Sequence, residues 1–154
     1  MRNSSVKTDR HIERMHRYVI DASVAVKWFC EEPGREAALE ISRNAKLGNI
    51  GVYAPNLLMY EVGNVLWKGK KFNAEELQRA LLSLSETNMK FFDLERDTIE
   101  TAALFTATYD ITFYDASYAA LAYKFGIPLI SENPKDHNKV KEIEVRSLAS
   151  FKNQ

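Results

Sequence analysis

The chain has 154 residues, 45% hydrophobic and 27% charged, with 21 lysines and arginines balanced by 21 aspartates and glutamates. That is the composition of one globular domain with a real core, and its zero formal net charge provides no global field to draw in a polyanion. No run approaches the ~20 apolar residues of a membrane-spanning helix, and the single cysteine, Cys30, rules out an internal disulfide.

Residues 1–16 are polar and charged, with Arg2, Lys7, Arg10 and Arg14 against Asp9 and Glu13, and they lack the apolar stretch of a signal peptide. They are read as a flexible or loosely docked leader, with Met15 as a second candidate start. A single domain is expected over 17–152. With no bridge to form and no secretory leader, a reducing cytoplasm is the expected compartment.

A first strand is predicted at 17–20, followed by a short helical turn over 23–29. Glu31-Glu32-Pro33-Gly34 breaks it, and a helix runs over 35–46 with Ala37, Ala38, Ile41 and Ala45 at helical spacing. A brief strand at 51–54 ends on Pro55. The helix over 57–70 carries a stripe of Leu57, Leu58, Val62, Val65 and Leu66, interrupted by Glu61. Asn73 and Glu76 form a capping box for a helix that carries Leu77, Leu81, Leu82 and Leu84. A strand at 90–94 and a helix over 97–109 follow, the helix with Ile99, Ala102, Ala103 and Phe105 inward. An alanine-rich helix at 116–125 stops at Gly126, a buried strand occupies 128–131, a short helix lies near 136–141, and a last strand spans 144–148. Strands alternating with helices specify an α/β domain with a mostly parallel central sheet covered on both faces.

Three acids stand where apolar residues would be easier. Asp21 ends the run Tyr18-Val19-Ile20, at the carboxyl end of a strand, where open α/β sheets bind ligands. Asp115 opens a second Asp-Ala-Ser triplet after Ile111-Thr112-Phe113-Tyr114. Either aspartate also suits a helix N-cap, and both triplets can be read as caps alone. Glu61 cannot be a cap, being about one turn inside its helix. Lys68 and Lys70 lie on the wrong turn to neutralise it locally. It is therefore metal-bound, paired elsewhere in the fold or partly exposed at the edge of its stripe. Two carboxylates ~4 Å apart repel by roughly 4 kcal/mol at an effective dielectric near 20. Three that meet need a cation, and oxygen ligands select Mg²⁺ or Mn²⁺. Zinc is a poor fit, since His11, His16 and His137 have no helpful spacing and one cysteine builds no thiolate site.

The stretches 18–29 (YVIDASVAVKWF), 60–66 (YEVGNVL) and 113–122 (FYDASYAALA) resemble the PIN domain family, most closely its VapC-type toxins. The resemblance covers nearly the whole chain. It implies a three-layer α/β/α sandwich and a divalent-metal endoribonuclease, with Asp21, Glu61 and Asp115 as catalytic and metal-holding acids and Ser23 as the hydroxyl beside the first. It also implies a homodimer and a cognate antitoxin that blocks the acidic pocket, with Trp28, Phe29 and Trp67 as candidate contacts or as core. The family pattern departs at its fourth acid: here Ser131-Glu132 leads to Asn133, a weaker ligand or a plain turn residue before Pro134, with Asp136 or Glu132 as possible substitutes. Lys27 and the Lys68, Lys70 and Lys71 cluster are candidates for RNA phosphates, the cluster equally a solvated helix end. The alternative is a PIN fold with a weakened site that binds RNA or protein without cutting. An aspartyl phosphotransferase fits less well, because a phosphatase of that type wants a second aspartate where Ser23 stands.

Overall fold

The computed structural model describes residues 15–151. Most of the expected leader, the candidate start Met1, His11 and the domain end at 152 lie outside the described residues. Of the leader only Met15 and His16 are described, and His16 opens the first strand.

Five strands form one sheet: β1 (His16–Ile20), β2 (Ile50–Pro55), β3 (Lys90–Phe92), β4 (Leu129–Ser131) and β5 (Val145–Ser147). Their order is β3-β2-β1-β4-β5, and every pairing is parallel. Val19 lies opposite both Tyr53 of β2 and Leu129 of β4. The chain builds outward from β1 to β2 and β3, then returns to lay β4 on the other side of β1. That reversal opens a crevice at the carboxyl ends of β1 and β4, and Asp21 and Ser131 stand at its floor.

Six α-helices connect and cover the strands: α1 (Ala22–Ala25), α2 (Arg35–Lys46), α3 (Leu57–Asn64), α4 (Ala74–Ser85), α5 (Arg96–Tyr109) and α6 (Phe113–Phe125). The sheet is the middle layer of an α/β/α sandwich. Tyr18, Val19 and Ile20 of β1 and all three residues of β4 are buried, so side chains pointing to either face of these strands are covered. Helix α6 lies across β1, β2 and β4. It is buried from Ala116 through Ala122, which only a helix covered on all sides requires. Its alanines let α5 approach closely, and Ala102 and Phe105 pack there against Ala116, Ala119 and Ala120.

The elements follow the predicted order, with shifts at their ends and faces. The capping box of α4 forms as expected, Asn73 Oδ1 accepting from Glu76 N at 2.8 Å and Glu76 Oε1 from Asn73 N at 3.3 Å. The helix expected over 57–70 is α-helical only to Asn64 and widens into a π-turn over Val65–Gly69, closed by Lys70 N to Val65 O at 3.0 Å. The segment near 136–141 is a single 3₁₀ turn, His137–Lys139. Four residues expected inward are exposed: Val65, Leu82, Ile99 and Ala103. Each helix buries a narrower face than its apolar residues could supply, because α3, α4 and α5 are each covered on one side only. Trp28 and Phe29 pack against the core, and Trp67 is exposed. Among the described residues no helix is long and apolar enough to cross a membrane.

Ile20 is fully buried and lies directly before Asp21. Ile20→Ala is expected to lower unfolding free energy by ~2–5 kcal/mol in denaturant titration, through lost burial and a cavity at the sheet centre.

Candidate active site

Asp21 leaves β1 in extended conformation and caps α1, its Oδ1 accepting from Ser23 N at 3.0 Å. Capping accounts for a minor share of its contacts. Ser23 Oγ donates to the same Oδ1 at 2.5 Å, and Ser131 Oγ donates to Oδ2 at 2.5 Å. Both hydroxyl oxygens accept in turn from the backbone beyond β4: Ser23 Oγ from Glu132 N at 3.0 Å and Ser131 Oγ from Asn133 N at 3.1 Å. A hydroxyl that accepts while it donates is polarised into a stronger donor. Two relays therefore tie the Asp21 carboxylate to the segment that follows β4.

His137 completes the shell. Its Nε2 is 3.1 Å from Asp21 Oδ2 and 3.9 Å from Asp115 Oδ1, and the residue is 2% exposed. An ionised carboxylate only accepts, so Nε2 carries the proton. Nδ1 is buried with no partner among the described residues. The sequence gives no warning of this residue, because a lone histidine six positions past β4 has no ligand spacing. The turn at Asp136 folds it back under the acids.

Asp115 is not a cap. Thr112 caps α6, its Oγ1 accepting from Asp115 N at 3.1 Å, so Asp115 stands in the first turn with its side chain free to face the cleft. Among the described residues its carboxylate has no hydrogen-bond donor. Glu61 projects from α3 into the same cleft, and its Oε1 is buried without a partner. Burial pushes its carboxyl above the usual range; the neighbouring Tyr118 hydroxyl lowers it, and the charges of Asp115 and Asp21 raise it further. Tyr118 Oη approaches Glu61 without reaching hydrogen-bond geometry, and burial holds its own proton on more tightly than in a free phenol.

These side chains line a cleft of about 650 Å³ together with Lys27, Lys70, Asn133 and Asp136. Asn133 and Asp136 are exposed at its rim, and Asp136 pairs with Lys139 at 3.2 Å. At the fourth-acid position the backbone N–H of Asn133, rather than its side chain, is engaged with the acids. Lys68 and Lys71 are exposed and do not line the cleft, so the lysine cluster is divided. Lys27 is 5% exposed and donates to Glu32 and to Pro33 O, so its ammonium is already paired in the cleft wall.

The expected meeting of three acids is realised as a shared cleft, not a closed cluster. Among the described residues no group of three His, Cys, Asp or Glu side chains is arranged to hold an ion. Asp21 accepts from four donors, and neither Glu61 nor Asp115 shares that shell through a hydrogen bond. The donor set nonetheless suits a hard divalent cation. Glu61 Oε1 is buried without a hydrogen bond, and Asp115, 31% exposed at its side chain, accepts none among the described residues; a buried carboxylate oxygen without a partner is costly unless something positive meets it.

A model of the PIN domain family matches residues 18–143. The exonuclease VapC9 of Pyrobaculum aerophilum is 31% identical over 94 residues, 60% of this chain and 71% of that protein. Among solved structures, a DNA-bound VapBC of Salmonella typhimurium shares the fold at a TM-score of 0.67 and 13% identity, over 87% of this chain and 99% of that one. VapC20 of Mycobacterium tuberculosis, a toxin that cleaves the sarcin–ricin loop, aligns at a TM-score of 0.60 and 17% identity, over 75% and 87%.

With its carboxyl raised, folded Glu61 holds a proton at pH values where the unfolded chain has lost it. Stability without divalent ions therefore falls as pH rises from the unfolded value through the folded one, and the loss is complete above it. Glu61→Gln, which stays neutral, is expected to melt higher than the native chain at pH 7–8 in chelator, by ~2–4 °C per kcal/mol relieved, with the gap closing near pH 4. A lower melting temperature at pH 7 contradicts this. The match over 18–143, the VapC9 relationship and the sheet order agree: the chain belongs to the PIN domain family and is similar to its VapC-type members.

Proposed function

We propose that the chain is a divalent-metal-dependent endoribonuclease, the toxin of a toxin–antitoxin pair. The observation that carries the reading is the buried, unpartnered Oε1 of Glu61 sharing one cleft, at the switch point of the sheet, with Asp115 and a hydrogen-bonded Asp21. The nuclease relatives support it, one named an exonuclease and one a toxin that cleaves the sarcin–ricin loop.

Asp21, Glu61 and Asp115 would hold the ion, Mg²⁺ or Mn²⁺. When bound, it supplies a water of lowered pKa and positive charge for the leaving oxygen. The chain's own part is orientation. Ser23, Ser131 and His137 fix the Asp21 carboxylate by their hydrogen bonds, so that it does not turn toward its neighbours. The backbone N–H groups of Glu132 and Asn133 hold those serines in place. Tyr118, protonated and buried, keeps the inner wall of the cleft dry beside Glu61. Asn133 and Asp136, at the rim, are placed to steady ligands or substrate, and Lys68 and Lys71 to meet RNA outside the cleft. VapBC complexes among the structural neighbours support a cognate antitoxin as partner, and the family resemblance supports a homodimer.

Structured RNA is expected to be cut with Mg²⁺ or Mn²⁺ and spared in chelator, with Asp21→Asn and Asp115→Asn each reducing the rate at least 100-fold. Cleavage that survives both chelation and these substitutions contradicts the reading. Mn²⁺ binding measured by calorimetry without any cleavage would instead favour a PIN module that binds and does not cut. Ser131→Ala is expected to weaken Mn²⁺ binding 10–100-fold, the usual cost of losing a group that orients a ligand.

A further inference from the structure

Six acids line the cleft against two lysines, Lys27 and Lys70. An RNA strand entering it needs positive charge, and both lysines are already occupied. Glu32 Oε1 pairs with Lys27 Nζ at 3.1 Å, and Glu32 Oε2 pairs with Lys70 Nζ at 2.6 Å. One carboxylate thus bridges two ammonium groups that come from distant parts of the chain. Lys27 rides on the 3₁₀ turn after α1, and Lys70 is delivered by the π-turn that ends the α3 segment. Gly34, at φ 89°, turns the 31–34 loop at the start of α2, and Lys27 Nζ also donates to Pro33 O at 2.6 Å. Lysine is almost never buried without a partner, and Lys27 is 5% exposed in the wall of an acidic cleft.

We propose that Glu32 occupies a phosphate subsite: its two oxygens stand where two oxygens of an RNA backbone phosphate bind between Lys27 and Lys70, and substrate must displace it. This rests on the ribonuclease reading and adds a built-in competitor to it. The chemistry matches, since a carboxylate and a phosphodiester each offer two anionic oxygens to two ammonium donors. The hydrogen bond from Lys70, then that from Lys27, keep the Glu32 carboxyl below its usual range, so the competitor stays charged at neutral pH. Displacement leaves Glu32 free to swing to solvent on its exposed loop, whereas Lys27 stays fixed by Pro33 O. The arrangement admits a strand only where its phosphate outcompetes one tethered carboxylate, which disfavours weakly anionic or badly placed ligands.

The test is equilibrium binding of a short fluorescent single-stranded RNA in chelator, with inorganic tripolyphosphate as a non-nucleic probe. Glu32→Gln is expected to bind both about tenfold more tightly and to steepen the RNA salt slope by ~0.7–1.4, as one or two phosphate contacts are added. Lys70→Gln is expected to weaken binding of both probes in the native chain and to abolish the Glu32→Gln gain in the double variant, the coupling that a shared site requires. Glu32→Asp, one methylene shorter and able to reach only one lysine, guards against misfolding of the first variant and is expected to gain in the same direction by less. A folded Glu32→Gln that binds neither probe more tightly overturns the subsite, and so does Glu32→Asp without gain. RNA cleavage by the native chain beside such a result removes the subsite alone. Tighter tripolyphosphate binding by Glu32→Gln, with no RNA cleavage by the native chain, supports the subsite and removes the ribonuclease reading.

Discussion

The carboxylate of Asp21 accepts from Ser23 N, Ser23 Oγ, Ser131 Oγ and His137 Nε2, and the rest of the site is arranged around that saturation. The donors come from the start of α1, the end of β4 and the turn beyond it. They converge because β4 lies against β1 on the side opposite β2. A buried carboxylate is costly unless hydrogen-bond donors replace the water it gave up, and this shell supplies four. The same shell closes the crevice floor, so the sheet's topology and the site's electrostatics are one constraint.

Unequal treatment of the three acids follows from it. Asp21 is satisfied by hydrogen bonds, Asp115 faces only His137 at 3.9 Å, and Glu61 answers burial with a raised pKa. Glu61 is left with a buried oxygen that wants a positive partner, beside an Asp115 that accepts no hydrogen bond among the described residues. Glu32 shows the opposite economy in the same cleft, where one carboxylate satisfies two lysines. The cleft therefore pairs an anion-rich floor, suited to a cation, with two lysines in its wall suited to an anion. A nuclease needs both.

Much of the architecture was legible because it rests on local rules. The run Tyr18-Val19-Ile20 reads as a buried strand, Asn73 and Glu76 as a capping box, and the alanines of 116–122 as a closely packed helix. Asp21, Glu61 and Asp115 were legible as chemistry because each violates a burial rule. His137, Ser131 and Glu32 were not, for their roles arise from long-range contact: His137 meets Asp21 across 116 positions, and Lys70 meets Glu32 across 38. Lysine 27 was legible as a charge near the site, but no periodicity reveals that its ammonium is already paired. The cap reading of Asp115 failed for a one-turn reason, since Thr112 caps the helix four residues before the alanine-rich pattern becomes visible.

The central claim is that Asp115 and Glu61, with Asp21, receive a divalent cation. Anomalous scattering from crystals grown with Mn²⁺ tests it most directly. The account predicts an anomalous peak in the cleft within ligand distance of Asp115 and Glu61, with the Asp21 carboxylate facing it. A structure at saturating Mn²⁺ with no peak in the cleft, or with the ion bound only by the rim acids Glu132 and Asp136, would contradict it.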